Sequence, residues 1–241
     1  MKVLITGAAG KAGTAIRREL DGKHQMRLLD IADIQNPEGE FLRGDVSDLE
    51  TVKKAMKGME GVIHLAFSRS SLDAHFDVNV KATYYILQCA REAGARKAVY
   101  ASTLSIYDGH PTLRERTDVG EETPAWCQSL YGLSKYMGEV AVKSFGEAHG
   151  LAAIALRLTG LKTREEWEED IKAGRTSAEE CRGSTLMEDV ARAFRLALEV
   201  EGVDYGVFNI CGDNPGRIWD ISRAKEVLGF WPQHRFVVDQ P

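Results

Sequence analysis

The sequence predicts an α/β protein, a doubly wound parallel sheet with a small C-terminal substrate-binding lobe. Three observations point there. Short apolar, β-rich runs alternate with helix-period segments as far as Arg157. A glycine-spaced turn joins the first such run to the first helical segment. After Arg157 the alternation gives way to polar, acidic, irregular sequence. Strands separated by helices imply βαβ units, and right-handed crossovers leave the doubly wound order as the simplest topology.

Each element follows from its local pattern. "KVLIT" is a strand, and "GTAIRREL" sets Ile16 and Leu20 on one helical face. "MRLLD" and "FLRGD" read as the second and third strands, "LETVKKAMKG" as a helix and "GVIHLAF" as a buried strand. "FDVNVKATYYILQCAREAG" predicts one long helix closed by Gly94. "KAVYAST" is the next strand, "SLYGLSKYMGE" lies on a helix, and "LAAIALRL" is a further strand. In the later part, a helix is expected near 164–173, an amphipathic one in "LMEDVARAFRLALEV", a strand in "YGVFNIC" and a short helix in "WDISRAKEVLGF". The expected division is a core over 1–158 and a lobe over 159–241, interleaved as a single unit.

Composition excludes several classes. The 241 residues are 44% hydrophobic, enough for a sizeable core and too apolar for a disordered chain. A formal net charge of -5 argues against a general nucleic-acid or anionic-membrane binder. No apolar run reaches the ~18 residues needed to span a bilayer. "MKVLITGAAG" carries no signal-peptide pattern, so a cytoplasmic location is expected. Cys89, Cys127, Cys181 and Cys211 are scattered, which suggests neither a disulfide framework nor a metal site.

Gly7, Gly10 and Gly13 are spaced G-x-x-G-x-x-G between strand and helix, with Lys11 and Ala12 inside the motif. Such glycines permit a tight turn, backbone approach to a pyrophosphate and close helix–strand packing, as in a Rossmann dinucleotide site. Free N–H groups at the helix start favour an anion there. Asp30 ends the second strand 20 positions after Gly10, where a carboxylate accepts ribose hydroxyls. Its charge would repel a 2′-phosphate, and Ile31 and Ala32 supply no cation, so NAD is favoured over NADP. Lys11 is the one feature against this, unless it is an ordinary solvated loop lysine.

Tyr131 and Lys135 stand four places apart on a helical stretch. By spacing alone they are either an exposed i,i+4 pair or a tyrosine and lysine held for proton transfer. Taken with the glycine motif, the chain resembles the short-chain dehydrogenase/reductase superfamily, and within it the extended, NAD-dependent epimerase/dehydratase branch. "TGAAGKAG" is like that branch's TGxxGxxG, and "YGLSK" like its YxxxK. "GDVSD" resembles its adenine-contacting turn, which implies Asp45 and Val46, and "HLAF" implies Leu65 and Ala66, with Phe67 and Ala101 beside the cofactor. "NVKAT" implies a supporting role for Asn79, and "YASTLSIY" implies Thr103, neighboured by Ser102. Ser68, Arg69, Thr103, Leu104, Ser105 and Arg182 are expected on the substrate side of the site. "DISRAKEVLGFWP" is similar to the branch's closing signature.

Two departures bear on the substrate. The lobe is short beside that of nucleotide-sugar enzymes, and Gly160 stands where many of them carry an asparagine. The compact length is similar to that of uronate dehydrogenases, which implies oxidation of a free hexuronic acid at its anomeric carbon by NAD.

The chemistry is demanding. A tyrosine with a pKa near ~10 must fall by about three units to act as a base near neutrality, which asks for roughly 4 kcal/mol of anion stabilisation. A lysine ammonium one turn away and the oxidised nicotinamide have the right sign. Thr103 would hold the reacting oxygen, Lys135 the cofactor ribose, and Asn79 the proton relay. Alternatives stand beside these roles: Thr103 as a strand-end threonine, Asn79 as a buried residue bonding backbone, Asp45 as a turn former. His64 and Tyr107 read as packing residues, and "EEWEED" as a solvated helix face. A uronate needs a cation, ideally a planar guanidinium fork. Arg69, Arg175 and Arg182 are candidates, with 160–184 as the recognition segment.

The function expected is therefore NAD-dependent hydride transfer from a sugar or sugar-acid hydroxyl, with Tyr131 as base. The alternatives are an epimerase or dehydratase that reduces NAD only transiently, and a non-catalytic NAD-binding regulatory protein. A carbohydrate substrate, no nucleic acid or membrane partner, no metal and a homodimer through the Tyr131 helix and the 75–93 helix complete the expectation.

Overall fold

The structure is a computed structural model that describes residues 1–111, 113, 118–175 and 181–236. Seven parallel strands form the central sheet. They are β1 (Lys2–Thr6), β2 (Gln25–Asp30), β3 (Glu40–Arg43), β4 (Gly61–His64), β5 (Lys97–Thr103), β6 (Ala152–Leu158) and, last in the chain, β9 (Tyr205–Ile210). Their spatial order is β3-β2-β1-β4-β5-β6-β9. Order therefore reverses beside β1, and the crevice at the ends of β1 and β4 is where such sheets bind ligands.

Both faces of the sheet are covered, which explains why its strands read as unbroken apolar runs. Side chains alternate across a strand. Val3 and Ile5 enter one core cluster and Leu4 the other, all with no exposed surface. The first cluster is roofed by α1 (Lys11–Leu20), α7 (Met187–Glu199) and α8 (Ser222–Leu228), the second by α2 (Leu49–Met56), α4 (Ala82–Glu92) and α5 (Leu130–Ala148). Helix α7 shows how the pattern acts: Met187, Val190, Phe194 and Leu198 recur at helical spacing and are all buried. Burial of side chains this size stabilises by roughly 1.5–3 kcal/mol each.

The helix expected over 76–94 is divided. Helix α3 (Leu72–Phe76) starts earlier, capped by Ser71, whose hydroxyl accepts from the Ala74 N–H at 3.1 Å. A wider π turn, Asp77–Lys81, separates it from α4. There the Thr83 hydroxyl donates to the Asn79 carbonyl at 2.8 Å.

Residues after 158 divide between two places. Helix α7 and β9 complete the main sheet and its covering layer. A parallel pair, β7 (Leu161–Lys162) and β8 (Thr185–Leu186), with α6 (Arg164–Lys172), forms a small cap. The chain's later part pins that cap: Phe236 is buried against Trp167, ring centroids 4.2 Å apart, together with Cys181 and Leu186. Among the described residues no helix is long and apolar enough to cross a membrane.

Candidate active site

The glycine turn forms one end of the site. The Gly7 N–H donates to the Leu29 carbonyl at 3.0 Å, and the Gly10 N–H to the Gly7 carbonyl at 3.2 Å. Gly7 has φ +67°, and a Cβ there would sit 2.7 Å from the Ala66 nitrogen. A Cβ on Gly13 would lie 2.5 Å from the Gly7 carbonyl oxygen. Both positions thus exclude any side chain, and the backbone stays open to an incoming group.

A cleft of about 580 Å³ runs from this turn. Gly7 and Gly10 line one end, and Asp30, Asp45 and Val46 line the wall at the ends of β2 and β3. Leu65, Ala66 and Phe67 line the wall after β4. Asp30 fixes the turn as well, since its carboxylate accepts from the N–H groups of Ala9 and Ala32, each at 2.9 Å. Asp45 lines the cleft, and it accepts from the Ser47 N–H at 2.8 Å as a turn former. The helix cap itself is Asp48.

Leu65 and Phe67 also border a second cavity of about 310 Å³, so the two spaces adjoin. Here β5, α5, the end of β6 and the loop after β4 bring Ala12, Ala101, Thr103, Ser105, Tyr131, Lys135 and Arg69 together. Helix α5 begins at Ser129, whose hydroxyl accepts from the Gly132 N–H at 3.0 Å, so Tyr131 and Lys135 fall on its first two turns. Thr103 is buried at the end of β5, where its hydroxyl accepts from the Ser105 N–H at 3.1 Å.

Lys135 is 2% exposed, and its Nζ lies 4.2 Å from the centroid of the Tyr100 ring. Burial pulls its pKa down to about 7; the Glu139 carboxylate opposes that shift and the Arg69 guanidinium adds to it. Asn79 is fully buried and does not line either space. Its Nδ2 donates to the Ser68 carbonyl and the Ser134 hydroxyl, both at 3.0 Å, while its Oδ1 accepts from the Ser68 N–H at 2.8 Å. Ser134 in turn donates to the Tyr131 carbonyl at 3.0 Å. Asn79 therefore ties the Ser68 loop to the Tyr131 helix.

Sequence reasoning missed the layer beneath the cavity. Ser102, in the cavity wall, donates to Glu139 at 2.5 Å. Arg157 meets the same carboxylate bidentately at 2.9 and 2.8 Å and donates to the Tyr107 hydroxyl at 2.6 Å. All four side chains are buried. One signal was present: Glu139 follows Lys135 by one helical turn on an otherwise apolar helix face.

Several expected residues lie elsewhere. Lys11 pairs with Glu166 on α6 and lines a separate cavity between α1 and α7. An ion pair was available across the turn, so its charge left the cleft. "EEWEED" is consequently more than a solvated face. Glu166 holds Lys11 and closes a capping box with Thr163, Asp170 pairs with Lys162 and Arg175, and Trp167 packs on Phe236. Arg175 is thereby engaged away from the cavity. Arg182 is exposed beside Gly216 and does not line it either. Leu104 is a core residue that faces a neighbouring cavity with Trp219. Gly13 packs on the turn instead of lining the cleft. His64 is a core histidine, bonded to Thr6 at 2.6 Å and Thr83 at 3.1 Å, and burial depresses its pKa to about 3. Tyr107 stacks on Trp219. Of the recognition segment 160–184, residues 176–180 fall outside the described residues. Among the described residues no group of three or more His, Cys, Asp or Glu could hold a metal ion.

A doubly wound parallel sheet, a side-chain-free turn and a long cleft at the point of order reversal define a dinucleotide-binding protein. The chain belongs to the NAD dependent epimerase/dehydratase family, which matches residues 3–170. It is similar to the NAD-dependent glucose-6-phosphate dehydrogenase of Haloferax volcanii, 28% identical over 96% of this chain and 92% of the relative. It is also similar to the uronate dehydrogenase of Pseudomonas syringae pv. tomato, 25% identical over 96% and 82%. Among solved structures, the glucuronic acid dehydrogenase of Chromohalobacter salexigens superposes with a TM-score of 0.83 at 25% identity, covering 97% of this chain and 85% of that one. The extended short-chain dehydrogenase/reductase resemblance read from the sequence therefore holds, and with it the family's dependence on NAD.

Proposed function

We propose that the chain is an NAD-dependent dehydrogenase acting on a hydroxyl of a monosaccharide or sugar acid. One observation carries this reading: Tyr131, Lys135 and Thr103 line a single 310 Å³ cavity that adjoins the glycine-turn cleft at Leu65 and Phe67. The cleft suits NAD, because Gly7 and Gly13 leave backbone where a side chain would block it and Asp30 offers a carboxylate to ribose hydroxyls. Gly10, Asp45, Val46, Leu65, Ala66 and Phe67 would complete its walls. When bound, the nicotinamide supplies the hydride acceptor.

The residues do the remainder. Tyr131 takes the proton of the reacting hydroxyl. Thr103 and Ser105 hold that oxygen through their own hydroxyls. Lys135, buried in the cavity wall, holds the ribose and, in its protonated form, stabilises the phenolate by its charge. Asn79 acts as a positioning residue, since its bonds end on Ser68 and Ser134. The names of the relatives support a monosaccharide, its phosphate ester or a sugar acid in place of a nucleotide sugar. So does the size of the cavity, which lies near the lower end of the ~300–1,000 Å³ typical of ligand sites.

A homodimer and a cytoplasmic setting belong to the same reading. Leu133, Met137 and Val140 form an exposed apolar strip on α5 beside exposed Tyr84 of α4, and no disulfide joins the four cysteines. The test is absorbance of NADH while aldoses, uronic acids, sugar phosphates and nucleotide sugars are supplied with NAD. Accumulating NADH with a monosaccharide, a sugar phosphate or a sugar acid is the expected result. Turnover without NADH would mean an epimerase, and NAD binding without turnover a regulatory protein.

A further inference from the structure

The 310 Å³ cavity has an unusual electrostatic character. Its walls carry five hydroxyls, from Ser102, Thr103, Ser105, Tyr131 and Thr159, the amine of Lys135 and the guanidinium of Arg69. Among the described residues they carry no carboxylate, although the chain as a whole is acidic at a formal -5. Lys135 is buried and faces the Tyr100 ring. Arg69 differs. Its guanidinium carbon stands 3.7 Å over the Tyr131 ring centroid and 5.7 Å from that of Phe67. It makes no ion pair and no hydrogen bond among the described residues, so its donors are free. Its loop is not free: Asn79 grips Ser68, the preceding residue, through both its N–H and its carbonyl. None of the basic residues of the cap lines the cavity, Lys172 and Arg182 included, and three of them are engaged elsewhere. Lys162 pairs with Asp170, Arg164 with Glu188, and Arg175 with Asp170.

We propose that Arg69 is the anion-recognising residue of this site and that the substrate is an anionic monosaccharide, a carboxylate or phosphate ester. The proposal rests on the reading of the cavity as a sugar dehydrogenase site. A guanidinium laid on the tyrosine ring keeps its planar fork pointed for bidentate capture of an oxyanion. The ring it lies on bears the hydroxyl proposed as base, so an anion held there sits within one sugar ring of the reacting carbon. A neutral aldose leaves the fork solvated and the net positive wall uncompensated. A carboxylate or phosphate satisfies both.

The test is an equilibrium titration of the whole protein by calorimetry, with galacturonate, glucose 6-phosphate, galactose and glucose as probes. It compares wild type with Arg69→Met and Arg69→Lys. Wild type is expected to bind at least one charged sugar more tightly than its neutral partner. Which one shows whether the anion is a carboxylate or a phosphate. In Arg69→Met the charged-over-neutral preference should fall roughly tenfold or more, the worth of a hydrogen bond to a charged group. Arg69→Lys should keep part of it. An equal affinity for charged and neutral sugars in wild type, or a preference that survives in Arg69→Met, overturns the proposal. The readout is binding, so it stands apart from turnover. Charge-selective binding without NADH formation would defeat the dehydrogenase reading and leave the Arg69 site intact.

Discussion

Lys135 shows what burial does to a single charge. Below pH 7 the folded and unfolded chains both carry its proton. Between about 7 and the ordinary 10.5 only the unfolded chain does, so unfolding takes up a proton and stability rises with pH through that window. Urea denaturation of wild type and Lys135→Met from pH 7 to 9 should therefore show wild-type stability gaining on the variant as pH climbs. A constant difference would place the ammonium in solvent. Tyr131→Phe is expected to abolish NADH formation while NAD affinity, read by titration, stays near wild type; normal turnover would end the proposed mechanism. At this scale the meeting of Tyr131, Lys135 and Thr103 in one cavity was legible in the sequence, because their backbone positions follow from element type. Arg69 could not be separated from Arg175 and Arg182. A long cationic side chain goes wherever a carboxylate meets it, and Asp170 claims Arg175 five positions on, around the end of α6, an offset outside the i,i+3 and i,i+4 pairs a helix pattern reveals.

Among the elements, the glycine turn and the buried pair beneath α5 make the firmest demands. A methyl on Gly13 would strike the Gly7 and Ala8 backbone, which has no side chain to give way. Gly13→Ala should cost about 1–3 kcal/mol and weaken NAD binding, both measurable in one thermal-shift titration with NAD. Arg157→Met strands the Glu139 carboxylate in the interior, and loss of one partner of such a pair is expected to cost roughly 3–5 kcal/mol by chemical denaturation. The strands were read well, "KAVYAST" to the residue, because burial on both faces writes itself as an apolar run. The helix expected over 76–94 was not. The π turn at Asp77–Lys81 is held by Asn79 reaching Ser68 and Ser134, bonds made with distant parts of the chain that leave the local helical period untouched.

For the whole molecule, the strip of Leu133, Met137 and Val140 beside Tyr84 predicts self-association. Val140 is 56% and Tyr84 50% exposed, on two helices that pack side by side. Light scattering should give a dimer for wild type and a monomer for Val140→Glu; a wild-type monomer would dismiss the pairing. The sequence's expectation of a lobe interleaved with the core reflects how α7 and β9 return to the sheet while α6 and the β7–β8 pair stay outside it. That cap has little interior of its own, and Phe236 wedged against Trp167 supplies much of it. A Phe236→Ala substitution should therefore loosen the cap, and with it the cavity wall that Leu161 contributes, while the glycine turn keeps its hold on the nucleotide.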